Sequence, residues 1–233
     1  MTKNNAMRLG SVMLVLALLS TCALWGTFAK YTTEGTAGTD TARVAKWGVT
    51  VTADTATAGF ATTYAKADSS SSLLTGENSV SSSDEVLAPG TSSGENSVAP
   101  TLTGTPEVAL QLSLKGSTME LTGNWEDAAG NFYFPVTVKV GGTAVSFTSC
   151  NTAADVKTAF ETACESYTKN VEAGTDLSTV TDLPKITWEW AFSSSDENDA
   201  KDTNLGNIAA GTVTGKTAPR ITFTSKVTAT QLD

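Results

Sequence analysis

The sequence predicts a mainly β protein, an antiparallel β-sandwich with one inserted α-helix and long polar loops. Several segments alternate apolar and polar residues with a period of two, which places one face of a strand in a core and the other in water. Residues 153–170 carry an apolar stripe that recurs every three or four residues among alanines, which favours a helix. Residues 67–100 are rich in Ser, Gly and acidic side chains, which is typical of a long low-complexity surface loop.

The strand pattern is clearest over residues 107–115, where four aliphatic side chains share one face. A slip of one residue would bury polar side chains instead, so the register is well specified. We expect residues 119–125 to return as the neighbouring strand. Residues 220–232 alternate over about twice the usual strand length and predict a long final strand.

Residues 132–140 form another alternating face, which contains Pro135. Because proline cannot donate a hydrogen bond to a ladder, it predicts an edge strand or a bulge. Gly141 and Gly142 follow directly and predict a hairpin turn, after which residues 143–148 return.

The most aromatic strand places four apolar side chains on one face, namely Ile186, Trp188, Trp190 and Phe192. We expect this row to form the centre of the core, whereas an exposed row would bind a sugar or another protein. Glu189 lies between the two tryptophans and is the one candidate for a catalytic carboxylate.

The amino-terminal stretch is typical of an export signal. A short basic start precedes an almost wholly apolar run over residues 9–25, and small residues follow at the positions that cleavage requires. We predict that residues 1–29 are a signal peptide, that cleavage falls between Ala29 and Lys30, and that the mature protein is secreted. An uncleaved membrane anchor and a lipidated Cys22 are the two alternatives.

Composition limits the partners of the mature chain, residues 30–233, which is long enough for a single β-sandwich domain with a real core. The full chain has 15 basic and 24 acidic residues. Two of the basic residues, Lys3 and Arg8, leave with the signal peptide, so 13 remain against 24 and the net charge becomes −11. This charge argues against nucleic acid and anionic membranes as partners and limits membrane contact to the signal peptide before cleavage.

The sequence contains no histidine. This absence excludes a Ser-His-Asp triad, a Cys-His pair and an HExxH zinc site. We therefore expect a protein that is not an enzyme and that carries no cofactor.

Two cysteines could form a disulfide, and three aspartates could bind a cation. Cys150 and Cys164 are the cysteines of the mature chain, and they form either a disulfide or two free thiols. Asp196, Asp199 and Asp202 lie in a polar stretch that we expect to be a solvated acidic loop. We expect no metal site; were calcium bound, these three carboxylates would be its ligands, although the spacing of an EF-hand loop is absent.

Four segments resemble a known family. Residues 26–32 (GTFAKYT), 39–45 (TDTARVA) and the strand at 47–53 are similar to the start of TasA/camelysin-type proteins. Residues 86–91 (VLAPGT) resemble the Leu-x-Pro-Gly-Asp turn of that family, with Thr91 in place of the aspartate. The resemblance covers roughly the first half of the chain.

The family consists of exported bacterial proteins that a SipW-type signal peptidase processes and that assemble into fibres of the extracellular biofilm matrix. The resemblance therefore implies a jelly-roll form of the sandwich, a homopolymer at the cell surface and a SipW-type peptidase as processing partner. Some camelysin-like proteins are classed as metallopeptidases, but this sequence lacks the usual zinc ligands.

A sandwich with an open edge can accept a strand from a neighbouring molecule, because main-chain hydrogen bonds supply the affinity. Residues 30–48 are polar and alternate poorly, so we expect a mobile amino-terminal segment without a place in the core. We predict donor-strand exchange by a segment that includes Lys30, Tyr31, Thr41, Val44, Trp47, Val49 and Val51. The alternative is a monomeric surface adhesin or binding module, whose contact surface would be the aromatic row or the 67–100 loop.

Overall fold

The computed structural model describes residues 43–52, 60, 63–66, 78–79, 86–93, 98, 101–192 and 195–232. The predicted signal peptide, its predicted cleavage site and most of the predicted 67–100 loop lie outside the described residues. Val44–Asp233 forms one compact unit. Within the described ranges, no helix combines the length and the apolar character that crossing a membrane requires.

The described residues are mainly β, as the alternating patterns predict, and every strand pair is antiparallel. Their strands are β1 (Thr50–Thr52), β2 (Thr63–Lys66), β3 (Asn78–Ser79), β4 (Thr91–Ser92), β5 (Thr101–Thr103), β6 (Leu110–Ser113), β7 (Thr118–Thr122), β8 (Thr137–Val140), β9 (Thr143–Ala144), β10 (Thr168–Val171), β11 (Ile186–Trp190), β12 (Arg220–Thr224) and β13 (Thr228–Gln231). The largest sheet has the order β3-β2-β4-β11-β8-β9, and three smaller sheets have the orders β10-β6-β13, β12-β7 and β1-β5.

The predicted final strand is long but bends between two sheets. Because β13 pairs with β6 and β12 pairs with β7, residues 110–122 and 220–231 form one extended ladder. At the bend, four residues of the first strand face three of the second, which is a β-bulge. At this bulge the Ser117 hydroxyl bonds the backbone groups of Lys226 in place of a strand partner. It accepts a hydrogen bond from the Lys226 N–H at 2.9 Å and donates one to the Lys226 carbonyl oxygen at 3.3 Å.

This ladder overturns the prediction that residues 119–125 neighbour the strand before them. β7 does not pair with β6, since both strands pair with successive parts of 220–231. Gly116 has a φ of 82°, a backbone conformation that favours glycine, and it lets the chain bulge without reversing its direction.

The predicted hairpin is confirmed, because β8 pairs with β9 across Gly141 and Gly142. Their φ values of 57° and 86° match a type I′ turn, which requires positive φ at both central residues. β8 begins only at Thr137, after Pro135, so the first half of the predicted strand 132–140 forms no regular ladder.

Two α-helices occur among the described residues, where the sequence predicted one. α1 (Ala153–Ser166) begins as predicted, and the Thr152 side chain accepts a hydrogen bond from the Asp155 N–H as its cap. It ends at Ser166 rather than at residue 170, because residues 168–171 become β10 and pair with β6. α1 packs against β7 and β8.

α2 (Asp196–Ala209) occupies the stretch that we expected to be an acidic loop. The Ser195 side chain caps the first turn, whose acidic residues face the positive end of the helix dipole. Gly211 ends the helix in a Schellman motif: its N–H donates to the Ile208 carbonyl at 3.0 Å, and the Thr212 N–H donates to the Asn207 carbonyl at 3.1 Å.

The buried apolar residues form two clusters. The larger lies between the six-stranded sheet, β7 and the two helices, and it includes Trp188, Phe160 and Leu205. The smaller lies beneath β1, β5, β6 and β10, and it consists of Leu102, Leu110, Leu112, Val171 and Leu177.

Candidate functional site

The end of the predicted donor segment is paired within its own chain. β1 pairs with β5, so that Val51 lies opposite Leu102. The Lys46 backbone N–H donates to the Glu107 carboxylate at 2.7 Å, and the Lys46 carbonyl accepts from the Glu107 N–H at 3.0 Å. The segment predicted to be mobile, residues 30–48, is thus hydrogen-bonded to its own chain at Lys46.

Most apolar side chains of this segment nevertheless remain uncovered. Val44, Trp47 and Val51 are 92 %, 39 % and 43 % exposed, and they account for three of the five exposed large apolar side chains among the described residues. Val49 packs against the smaller core cluster. The predicted donor residues that lie outside the described part of the chain are Lys30, Tyr31 and Thr41.

Two glycines let β1 approach the chain beside β5. Gly104 has a φ of 114°, and a Cβ atom there would overlap the Gly48 carbonyl oxygen. Gly48 has a φ of 60°, and a Cβ atom there would lie 3.0 Å from the Thr105 carbonyl oxygen. The amino-terminal segment is thus seated by backbone-to-backbone packing that a side chain at Gly104 would prevent and one at Gly48 would strain.

The aromatic row lies in the core, as predicted, for three of its four members. Ile186, Trp188 and Trp190 are buried, and Phe60 stacks on Trp188 with ring centroids 5.4 Å apart. The prediction is wrong for Phe192, which lies beyond the end of β11 and is 52 % exposed.

Glu189 lies on the opposite face of β11 from the buried row. Its carboxylate forms an ion pair with Lys139 on β8, with an N–O distance of 3.3 Å. This contact is an ordinary cross-strand pair of a half-buried sheet face.

A cavity of about 880 Å³ lies beside α2, β12 and the turn at residues 86–90. Its walls expose polar and apolar surface in similar amounts, and their apolar side chains include Phe60, Trp125, Trp190 and Leu205. Two charged side chains also line it, Asp202 and Arg220; since Arg220 is exposed, Asp202 is the buried charge of this concave site.

Asp202 projects from the buried face of α2 and is 9 % exposed. Its carboxylate accepts a hydrogen bond from the Tyr133 hydroxyl at 2.8 Å. Burial raises the pKa of Asp202. Interactions with the side chains of Tyr133 and Trp190 lower this pKa, and the negative charge of Asp199 raises it further. Burial and the contact with Asp202 in turn raise the pKa of Tyr133.

The cavity leaves two polar groups without their natural complements. None of the ion pairs among the described residues involves Asp202. The Trp190 indole N–H is close enough to Asp202 to lower its pKa, yet this buried donor has no partner with hydrogen-bond geometry in the described part of the chain. An unsatisfied buried donor costs about 1–3 kcal/mol, so an acceptor bound here would relieve a real penalty.

The candidate calcium ligands do not converge on one site. Asp196 and Asp199 are exposed in the first turn of α2, whereas Asp202 is buried further along the helix. The ranges that the structure describes contain no group of three or more Cys, Asp or Glu side chains arranged to hold a metal ion.

Cys150 and Cys164 are both free thiols in the structure. Cys164 is fully buried on α1, and burial, with smaller contributions from Glu161 and Glu165, raises its pKa to about 12. Cys150 is partly exposed, and burial and Asp155 raise its pKa.

The sequence did not reveal the contact between Tyr133 and Asp202, because 69 residues separate them. The helix signals at Ser195 and Gly211 would have placed Asp202 on one face with Leu205 and Ile208, and so would have marked it as a buried acid. Comparisons of the chain with models of protein families, with curated proteins and with solved structures found no match.

Proposed function

We propose that this chain is a secreted structural protein that assembles into extracellular matrix fibres at a bacterial surface, and not an enzyme. Each molecule donates its mature amino-terminal segment to the next. The proposal takes its family, the TasA/camelysin type, from the residues quoted above, and it takes the β-rich fold as a jelly-roll sandwich.

The observation that supports it best is the seating of the segment that ends in β1. A ladder of three residues in a two-stranded ribbon is marginal by itself, so β1 can leave its own β5 at low cost. Pairing with β5 of another copy would re-form the same hydrogen bonds, which is the energetic basis of domain swapping. Contact with a second molecule would also cover Val44, Trp47 and Val51.

One of the two contact surfaces predicted for the adhesin alternative is buried. The tryptophans that would have bound a glycan or a protein are buried in the core. Most of the other proposed surface, the 67–100 loop, lies outside the described residues.

A cysteine pair can test the exchange directly. Thr50 and Thr103 lie opposite each other on exposed positions of β1 and β5, within the reach of a disulfide. We expect the mature chain with Thr50→Cys and Thr103→Cys to form fibres that, once oxidised, run on a denaturing gel as a ladder of covalent multimers. Fibres that dissolve into cross-linked monomers would contradict the exchange.

Two controls frame that result. Both cysteine variants carry Cys150→Ser, which removes the partly exposed native thiol. The Thr50→Cys variant without Thr103→Cys should then give no ladder longer than a dimer, because it lacks the partner thiol. Electron microscopy of the chain that begins at Thr50, beside the chain that begins at Lys30, should show monomers and fibres respectively. Monomers from both chains would contradict the fibre proposal and favour the adhesin alternative.

A further inference from the structure

We propose that the Asp202 cavity binds the free amino terminus of a second copy, with the α-ammonium group of Lys30 against the Asp202 carboxylate. The inference rests on the proposed function, because it identifies where the donated segment begins its contact with the acceptor molecule.

The two unsatisfied groups of the cavity select this chemistry. A buried carboxylate without a cationic partner favours an ammonium group, and the Trp190 indole N–H requires an acceptor. The first residue of a peptide carries both groups, an ammonium nitrogen and a carbonyl oxygen, three bonds apart on one backbone. An anion would be repelled by Asp202, and a simple amine would leave the indole N–H unsatisfied.

The walls suit the first two side chains of the mature chain. Half-buried Phe60, with the small exposed parts of Trp125 and Trp190 that line the cavity, offers aromatic surface on which the Lys30 stem and the Tyr31 ring would pack. Aromatic faces also attract ammonium groups, which adds to the pairing with the carboxylate. A cavity of about 880 Å³ is large enough for a short peptide rather than a single ion.

Chain length and charge permit the contact between copies. Thirteen residues, 30–42, precede the first described residue, and fully extended they span at most about 45 Å. The α-ammonium and the Lys30 side chain place two positive charges at the tip of a segment that approaches a strongly acidic partner. The α-ammonium of Lys30 exists only after the signal peptide is removed, so the site would accept processed molecules alone.

The test uses a peptide of residues 30–36, KYTTEGT, with either a free or an acetylated amino terminus. The protein is the mature chain with extra residues before Lys30 and an acetylated first residue, so that it presents neither Lys30 as its terminus nor another free α-ammonium group. Binding is followed by tryptophan fluorescence, because Trp125 and Trp190 line the cavity. We expect saturable binding of the free peptide and at least tenfold weaker binding of the acetylated one.

Two substitutions test whether the Asp202 carboxylate causes the difference in affinity between the free and the acetylated peptide. Asp202→Asn should lower the affinity for the free peptide to that for the acetylated peptide, so that acetylation no longer changes binding. The control Asp196→Asn removes the same charge from an exposed position of the same helix and should leave the tenfold difference intact. If Asp202→Asn fails to fold, the acetylation comparison on the unsubstituted chain still decides.

Equal binding of the two peptides, or no binding of either, would overturn the inference. Fibres that form although the free peptide does not bind would leave the proposed function standing without this site. If the free peptide binds more tightly than the acetylated one but no fibres form, the site is supported and the proposed function is contradicted.

Discussion

Gly104→Ala should release the amino-terminal segment from its own domain. The new methyl group would overlap the Gly48 carbonyl oxygen, and Gly104 has a φ of 114°, which side chains other than that of glycine rarely adopt. The conformational cost is about 1–2 kcal/mol and the overpacking cost about 1–3 kcal/mol, which together give about 2–5 kcal/mol. The chain can relieve this strain by detaching residues 44–52 instead of unfolding as a whole.

The matched control is Gly130→Ala. Gly130 also has a positive φ, 84°, but a Cβ atom there meets nothing within 4 Å, so only the cost of about 1–2 kcal/mol applies. Hydrogen exchange followed by mass spectrometry should show lost protection at β1 and β5 in Gly104→Ala and unchanged protection there in Gly130→Ala.

The proposed fibre assembly gives a second readout for these two variants. Because pairing in trans needs the same approach of Gly48 to Gly104, Gly104→Ala should abolish fibres while Gly130→Ala retains them. Protection of β1 in Gly104→Ala equal to that in the control would refute the seating of the segment by this close contact.

Three further predictions follow from buried side chains. Burial raises the pKa of Asp202 above its unfolded value of about 4, so the folded state takes up the proton first and the unfolding free energy falls as the pH rises between those two values. Asp202→Asn should remove this pH dependence; denaturant titrations at several pH values measure it, and a constant difference between the two chains would count against it. Trp188→Ala should cost about 3–5 kcal/mol and Phe192→Ala less than about 0.5 kcal/mol by the same assay, since only the first side chain is buried, and similar losses would contradict their placement. Iodoacetamide should label Cys150 in the folded chain and Cys164, whose pKa is about 12, only after unfolding, as peptide mass spectrometry would reveal; equal labelling of the folded chain would argue against the burial of Cys164.

The sequence alone determined the features that depend on neighbouring residues. Alternation decided which faces of 110–114 and 186–190 are buried, and two adjacent glycines decided the hairpin at 141–142. The cap at Thr152 decided where α1 begins. Each of these signals acts within a few residues, because side-chain direction and allowed φ are local properties.

Only the tertiary structure decided which segments meet. β7 pairs with β12 rather than with β6, and α1 ends early because β10 pairs with β6. Phe192 is exposed because the sheet stops at Trp190, and Asp202 meets Tyr133 because α2 packs on that part of the chain. Such pairings depend on the free energy of contacts between residues far apart in sequence, which no local pattern encodes.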